Sequence, residues 1–259
     1  TADAVDIAYY TGGWDAVGLL KADSADEGWM NILTYSRRML LPRAREFRRT
    51  AEAIAQDRGR PVSALVYEAG PGYTLPGPGK FDLAEQIQGK SLAQAINALD
   101  IFMSNLREGY GDQSFFIFKN GHYWASHNRT WGEHIAWKAL GLRNTLLAGD
   151  LITTVARRMI TLDLPESRAD ILSQSNSANK RVRIFPAVPD LPLIDCYAFR
   201  EGKRHSTMLV SRRLTGTTPV TLEFPSDPES AYTVHTLTGD RPDVHNIDAE
   251  AVAVQVVNQ

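Results

Sequence analysis

Residues 62–73 read VSALVYEAGPGY. An apolar run leads into Tyr67 and Glu68, and the chain then breaks on Ala-Gly-Pro-Gly. A short apolar run closed by turn residues predicts a buried strand over 62–68. Its last residue is a carboxylate, which burial disfavours unless it is paired or serves something outside the core.

Two further runs share this character. AVDIAYY (4–10) precedes TGGWD, and SFFIFKN (114–120) precedes HYWASHNRTW. Helical patterns lie between and after them: one over about 28–58 with a break expected at Pro42, one beginning at Ser91, and one over about 133–148. Ser91, with Gln94 three residues on, predicts a capping box ahead of an apolar stripe of Leu92, Ile96, Leu99, Met103 and Leu106. Continuously apolar strands alternating with helices predict a parallel sheet covered on both faces. Three such strands are too few to enclose a core. They form either a small open sheet or the last strands of a larger structure, and a (β/α)8 barrel of about 250 residues fits the second.

Near residue 155 the helical periodicity stops. The runs RRMITLDL, RVRIFPAV, LIDCYAF, STMLVSRRL, PVTLEF, AYTVHTL and AVAVQVV follow, separated by REGKR, TGTTP and PSDPES. Short strands at this spacing predict an antiparallel β-sandwich. The expected division is therefore α/β over 1–152, the C-terminal portion of a barrel, and a β-sandwich domain over 153–259.

Composition narrows the function. The chain has 259 residues, 43% hydrophobic and 22% charged, with a net charge of −2. That is a globular composition with material for a large core. The one dense basic segment, RRMLLPRAREFRR at 37–49, carries apolar residues at Leu40, Ala44, Phe47, Ala51 and Ile54. This spacing predicts a solvated helix face rather than a nucleic-acid surface. A single cysteine, Cys196, excludes an internal disulfide, and no run approaches a membrane span. No nucleic-acid partner, membrane partner, metal or cofactor is expected. The chain enters an apolar strand within a few residues of Thr1, so Thr1 reads as a processed end or the start of a second piece, and an N-terminal threonine nucleophile is a further reading.

In parallel α/β folds ligands meet the C-terminal ends of the strands. The first end offers Tyr9 and Tyr10, with Trp14 following. The second offers Tyr67 and Glu68, with Tyr73 in its loop. The third offers Lys119 and Asn120, then His122, Trp124, His127 and Trp131. Aromatic faces stack on sugar rings, and a carboxylate attacks or stabilises an anomeric carbon. Each residue also has a plainer reading. Glu68 alone suits a helix N-cap or an ion pair. Tyr9 and Tyr10 alternate, so one faces the core, while Tyr67 is expected to point away from Glu68 and pack. Trp29 fits either the core or a loop contact, and Trp137 fits the core. His122 and His127 lack a third metal ligand, and His205, His235 and His245 are scattered.

A strand ending in glutamate and a Gly/Pro loop, inside a barrel with a trailing sandwich, resembles the retaining glycoside hydrolases of clan A. It is most similar to the arabinofuranosidase- and xylosidase-type members. The resemblance implies that 62–68 is strand seven with Glu68 as nucleophile, and that 4–10 and 114–120 are strands six and eight. It implies Tyr10, or else Tyr9, as the partner of Glu68, and Trp124 as the floor of the sugar subsite. Lys119, His122 and His127 would bind hydroxyls or an acidic sugar. The clan's acid/base, a glutamate usually preceded by asparagine, has no match before Glu68. It would lie upstream of Thr1 or in another chain, with the remainder of the barrel. The implied activity is glycosidic bond cleavage in carbohydrate or polysaccharide degradation, with export to the periplasm or medium favoured. A carbohydrate-binding protein without turnover, and a metal-assisted hydrolase or lyase, are the alternatives.

Overall fold

The computed structural model describes residues 3–11, 24–71, 83–117, 132–171, 181–224 and 231–258. Three strands, β1 (Ala4–Thr11), β2 (Ser63–Pro71) and β3 (Gln113–Phe115), form a parallel sheet in the order β1-β2-β3. The third strand is shorter than its apolar run implies. The sheet is not evenly covered. Ala64, Val66 and Ala69 are buried on one face of β2, whereas Ser63 and Tyr67 are exposed.

The covered face packs on helices. The stretch expected as one helix broken at Pro42 is three pieces: α1 (Ala25–Leu33), a π-helical turn (Ser36–Leu40) and α2 (Leu41–Arg58). Ser24 caps α1, its Oγ accepting the Glu27 N–H at 3.2 Å. The break falls before Pro42, which sits in the first turn of α2, where its missing N–H costs nothing. α3 (Leu83–Lys90) then leads into α4 (Leu92–Arg107). α4 is the centre of the molecule, buried on nearly all sides from Leu92 to Asn105. The apolar stripe read from the sequence is therefore only one of its packed faces. Ser91 does cap α4, its Oγ 3.1 Å from the Gln94 N–H, but the Gln94 side chain bonds elsewhere, so the capping box is half made. The N–H groups of Leu92 and Ala93 donate instead to the carbonyls of Val244 and Pro242, which satisfies the helix start from the far end of the chain.

After α5 (Ile135–Leu146) the chain turns at Gly149, whose φ is +81°. A Cβ there would lie 2.1 Å from the Arg200 carbonyl oxygen, so only glycine fits. Nine strands follow among the described residues: β4 (Asp150–Ile152), β5 (Thr161–Leu164), β6 (Ser167–Ile171), β7 (Arg181–Phe185), β8 (Val188–Pro192), β9 (Ile194–Glu201), β10 (Arg204–Ser211), β11 (Thr233–Thr236) and β12 (Gln255–Asn258). They pair as separate antiparallel units, β10-β9-β4, β5-β8, β6-β7 and β11-β12. PVTLEF at 219–224 forms no strand. β4 belongs by pairing to the antiparallel part, although the expected boundary places it with the α/β part. Asp195, Tyr197 and Phe199 alternate inward along β9, and one core cluster joins Tyr197, Phe199 and Val210 to Tyr9, Val66 and Phe102. The two parts share a core.

Candidate active site

The register of β1 on β2 decides where Glu68 points. Ile7 pairs with Val66, but Ala8 pairs with Glu68, so Tyr67 is an extra residue. The β2–β3 register shifts over the same stretch, between Val66 and Ala69. This is a β-bulge. Simple alternation would place Glu68 on the helix side with Ala64 and Val66. The bulge moves it to the opposite face, beside Ala8 and Tyr10, and returns Ala69 to the buried side. Tyr67 and Glu68 thus share a face, contrary to the expectation from alternation, and Tyr67 is 53% exposed rather than packed.

Tyr10 meets the carboxylate there. Its hydroxyl donates to Glu68 Oε2 at 2.6 Å, a bond worth about 1.5–3 kcal/mol when the acceptor is charged. The Tyr10 phenol is pushed well above the ordinary range, first by burial and then by the bond to Glu68, so it stays protonated and able to donate. Its ring stands edge-on to Phe116, 6.4 Å between centroids. Phe116 is fixed by its N–H donating to the Ala69 carbonyl at 2.9 Å. Gly70 permits that approach, since a Cβ on it would lie 2.8 Å from the Phe116 carbonyl oxygen. The Ala-Gly after the glutamate is therefore a contact requirement of the site as well as a turn signal.

Tyr9, the second tyrosine considered as the partner of Glu68, is turned into the core. It is fully buried, its ring edge-on to Tyr110 and its hydroxyl 3.0 Å from the Tyr110 hydroxyl, which donates to the Ala44 carbonyl. It is not placed to touch a ligand. Trp14, Tyr73, Lys119, His122, Trp124, His127 and Trp131 lie outside the described residues. Trp29 packs against the main core, and Trp137 is half-buried on α5. His205 lies on β10, His235 on β11, and His245 Nδ1 accepts the Ile247 N–H at 3.4 Å. Among the described residues no group of three His, Cys, Asp or Glu side chains gathers as a metal site, and no helix is long and apolar enough to cross a membrane.

The sequence reading missed a buried charge cluster behind the sheet. Arg37 and Arg38, expected on a solvated face, point inward. Arg37 donates to Asp100 at 2.7 Å, Asp195 at 2.8 Å and the Tyr197 hydroxyl at 2.6 Å. Arg212 lies 2.8 Å from Asp100 and 2.7 Å from Asp195. Arg107 lies 4.2 Å over the Tyr197 ring. Burial alone would raise Asp100, but Arg212 and Arg37, with hydrogen bonds from Arg37 and Ser36, hold it well below the usual carboxylate range. Arg38 donates to the carbonyls of Pro165, Phe185 and Pro186, and burial pulls it down to about 10, which leaves it charged at neutral pH. The available signal was Asp100 itself, a carboxylate between Leu99 and Ile101 in an apolar helix. A charge so placed needs a partner.

No protein-family profile matches the chain, and no curated protein matches it. Among solved structures it is similar to an alpha-L-arabinofuranosidase from Thermotoga maritima in complex with arabinose, with a TM-score of 0.67 and 16% identity. The match covers 99% of this chain and 48% of that one, so the chain spans about half the length of the structure it matches. The likeness relates the fold to that of a glycoside hydrolase.

Proposed function

We propose that the chain is the nucleophile-bearing part of a retaining glycoside hydrolase, with its parallel strands continuing into a (β/α)8 barrel and residues 153–259 forming the trailing β-domain. The observation that carries this reading is the Tyr10–Glu68 pair at the C-terminal ends of adjacent parallel strands. The fold likeness to an arabinofuranosidase supports it. Glu68 Oε attacks the anomeric carbon, and a glycosyl ester forms as the glycosidic C–O bond breaks. A second carboxylic acid, about 5–5.5 Å away and supplied by the remainder of the barrel, gives its proton to the departing oxygen. Water then attacks the anomeric carbon as its bond to the Glu68 oxygen breaks, the second group takes the water's proton, and Glu68 is released as carboxylate. Tyr10 orients Glu68 through both steps by donating to its other oxygen. Trp14, Tyr73, Lys119, His122, Trp124, His127 and Trp131 are assigned to the sugar-binding rim.

Substrates are glycosides, with arabinofuranosides first to be tried because of the matched structure. The test is Glu68→Gln in the intact protein, assayed on a panel of aryl glycosides that includes arabinofuranosides. Loss of kcat by roughly a thousandfold or more is expected. Near-full activity would overturn the assignment. A binding protein without turnover predicts saturable sugar binding and no hydrolysis by the unaltered protein.

A further inference from the structure

Thr11 ends β1 and follows Tyr10 directly. Its side chain is on the helix side, it is 1% exposed, and it does not rest on apolar contacts alone. The Asn97 side chain donates Nδ2 to Thr11 Oγ1 at 2.6 Å, and Gln94 donates Nε2 to the same oxygen at 3.1 Å. Asn97 is itself anchored, because its Oδ1 accepts the Ser36 N–H at 2.9 Å. All three side chains are buried.

Elsewhere on this face β2 meets the helices through the apolar Ala64, Val66 and Ala69, and Tyr9 on the other side of Tyr10 bonds to the Tyr110 hydroxyl rather than to α4. Apolar contact holds two surfaces together but tolerates sliding. A hydrogen bond fixes distance and direction, and a buried donor left unpaired is costly. The two bonds to α4 sit directly beside the residue that must meet Glu68 at 2.6 Å. A shift of Thr11 along the strand would carry Tyr10 with it.

We infer that Thr11, held by Asn97 and Gln94, is a positioning residue that sets the reach of the Tyr10 hydroxyl to Glu68. This rests on the assignment of Glu68 as nucleophile. The clamp acts on Tyr10 and touches no substrate.

The test uses the intact protein with five single variants and one double variant. Thr11→Val removes the acceptor at nearly constant shape. It is expected to lower kcat about tenfold with KM changed less than about twofold, since the geometry matters to the reacting atoms and not to binding. Thr11→Ser keeps the oxygen and should retain near wild-type kcat. Gln94→Met, which removes only the longer bond, should give a smaller loss and keeps the test usable if Thr11→Val does not fold. Tyr10→Phe supplies the decisive comparison: in that background Thr11→Val should cost less than about twofold, because the group it positions is gone. An equal loss in both backgrounds, or wild-type kcat in Thr11→Val and Gln94→Met, overturns the inference. Glu68→Gln assayed alongside separates the two assignments. If it stays active, the nucleophile assignment fails and the positioning role goes with it. If it is inactive while the Thr11 series behaves as wild type, the positioning role alone fails.

Discussion

Arg212 and Asp100 lie 2.8 Å apart, and both side chains are completely buried. Asp100 comes from α4 and Arg212 follows β10, so the contact ties the α/β part to the antiparallel part. Removing one member leaves the other buried with only part of its compensation, Asp100 with Arg37 or Arg212 with Asp195. Asp100→Asn and Arg212→Met are each expected to destabilise the fold by about 3–5 kcal/mol. Urea unfolding of each variant measures this, and a loss below about 1 kcal/mol would show that the cluster is dispensable.

The same carboxylate makes a prediction about acid. Its folded-state pKa lies below its unfolded value, so its stabilisation is present above about pH 4 and is lost as pH falls from there. Unfolding free energy should drop steeply below that pH. In Asp100→Asn the drop should be shallower, which urea melts between about pH 2 and pH 6 will show.

Tyr10→Phe keeps the ring that meets Phe116 and removes only the hydroxyl. The fold should persist, and thermal unfolding checks this. The lost bond of about 1.5–3 kcal/mol corresponds to a fall in kcat of roughly 10- to 150-fold. An unchanged kcat would mean that the pair has no part in turnover.

Gly70→Ala places a methyl group against the Phe116 carbonyl oxygen and the Phe115 ring. Backbone must move to make room, with a cost of about 1–3 kcal/mol. Because Phe116 backs Tyr10, activity should fall together with stability. Parallel thermal melts and rate measurements would expose any uncoupling of the two.

Much of the α/β part was legible in the sequence, and the reason is physical. Burial of strands against helices leaves a periodic apolar signature, so β1, β2, the start of β3, α4 and α5 fall where the patterns predict. The pairing of Tyr10 with Glu68 was expected only through the family resemblance, with Tyr9 as the other choice, because alternation alone would turn Glu68 toward the helices. Charged residues in the core were not legible. Arg37 and Arg38 read as solvent-facing because hydropathy scores a side chain and not its partners, and those partners lie more than 60 residues away in Asp100 and more than 140 away in Asp195 and Phe185. The short antiparallel strands were only partly legible. Pairs such as β6-β7 are fixed by contacts over distance, and PVTLEF pairs with no strand among the described residues. Gln94 was read as a helix cap, yet its side chain serves Thr11.

Tyr67 matters as a register position more than as a tyrosine. It is the odd residue that inverts the parity of β2, so the address of Glu68 depends on a count across two strands rather than on a motif. Replacing Tyr67 with serine should leave the carboxylate facing Tyr10. Deleting it should remove the bulge yet leave Val66 and Ala69 inward and Glu68 outward opposite Ala8, so the site should survive. An extra residue in β1 opposite Tyr67 would instead restore regular pairing and turn Glu68 toward the helices. Chains of this shape that omit the extra position should carry their acid one step nearer the start of the strand.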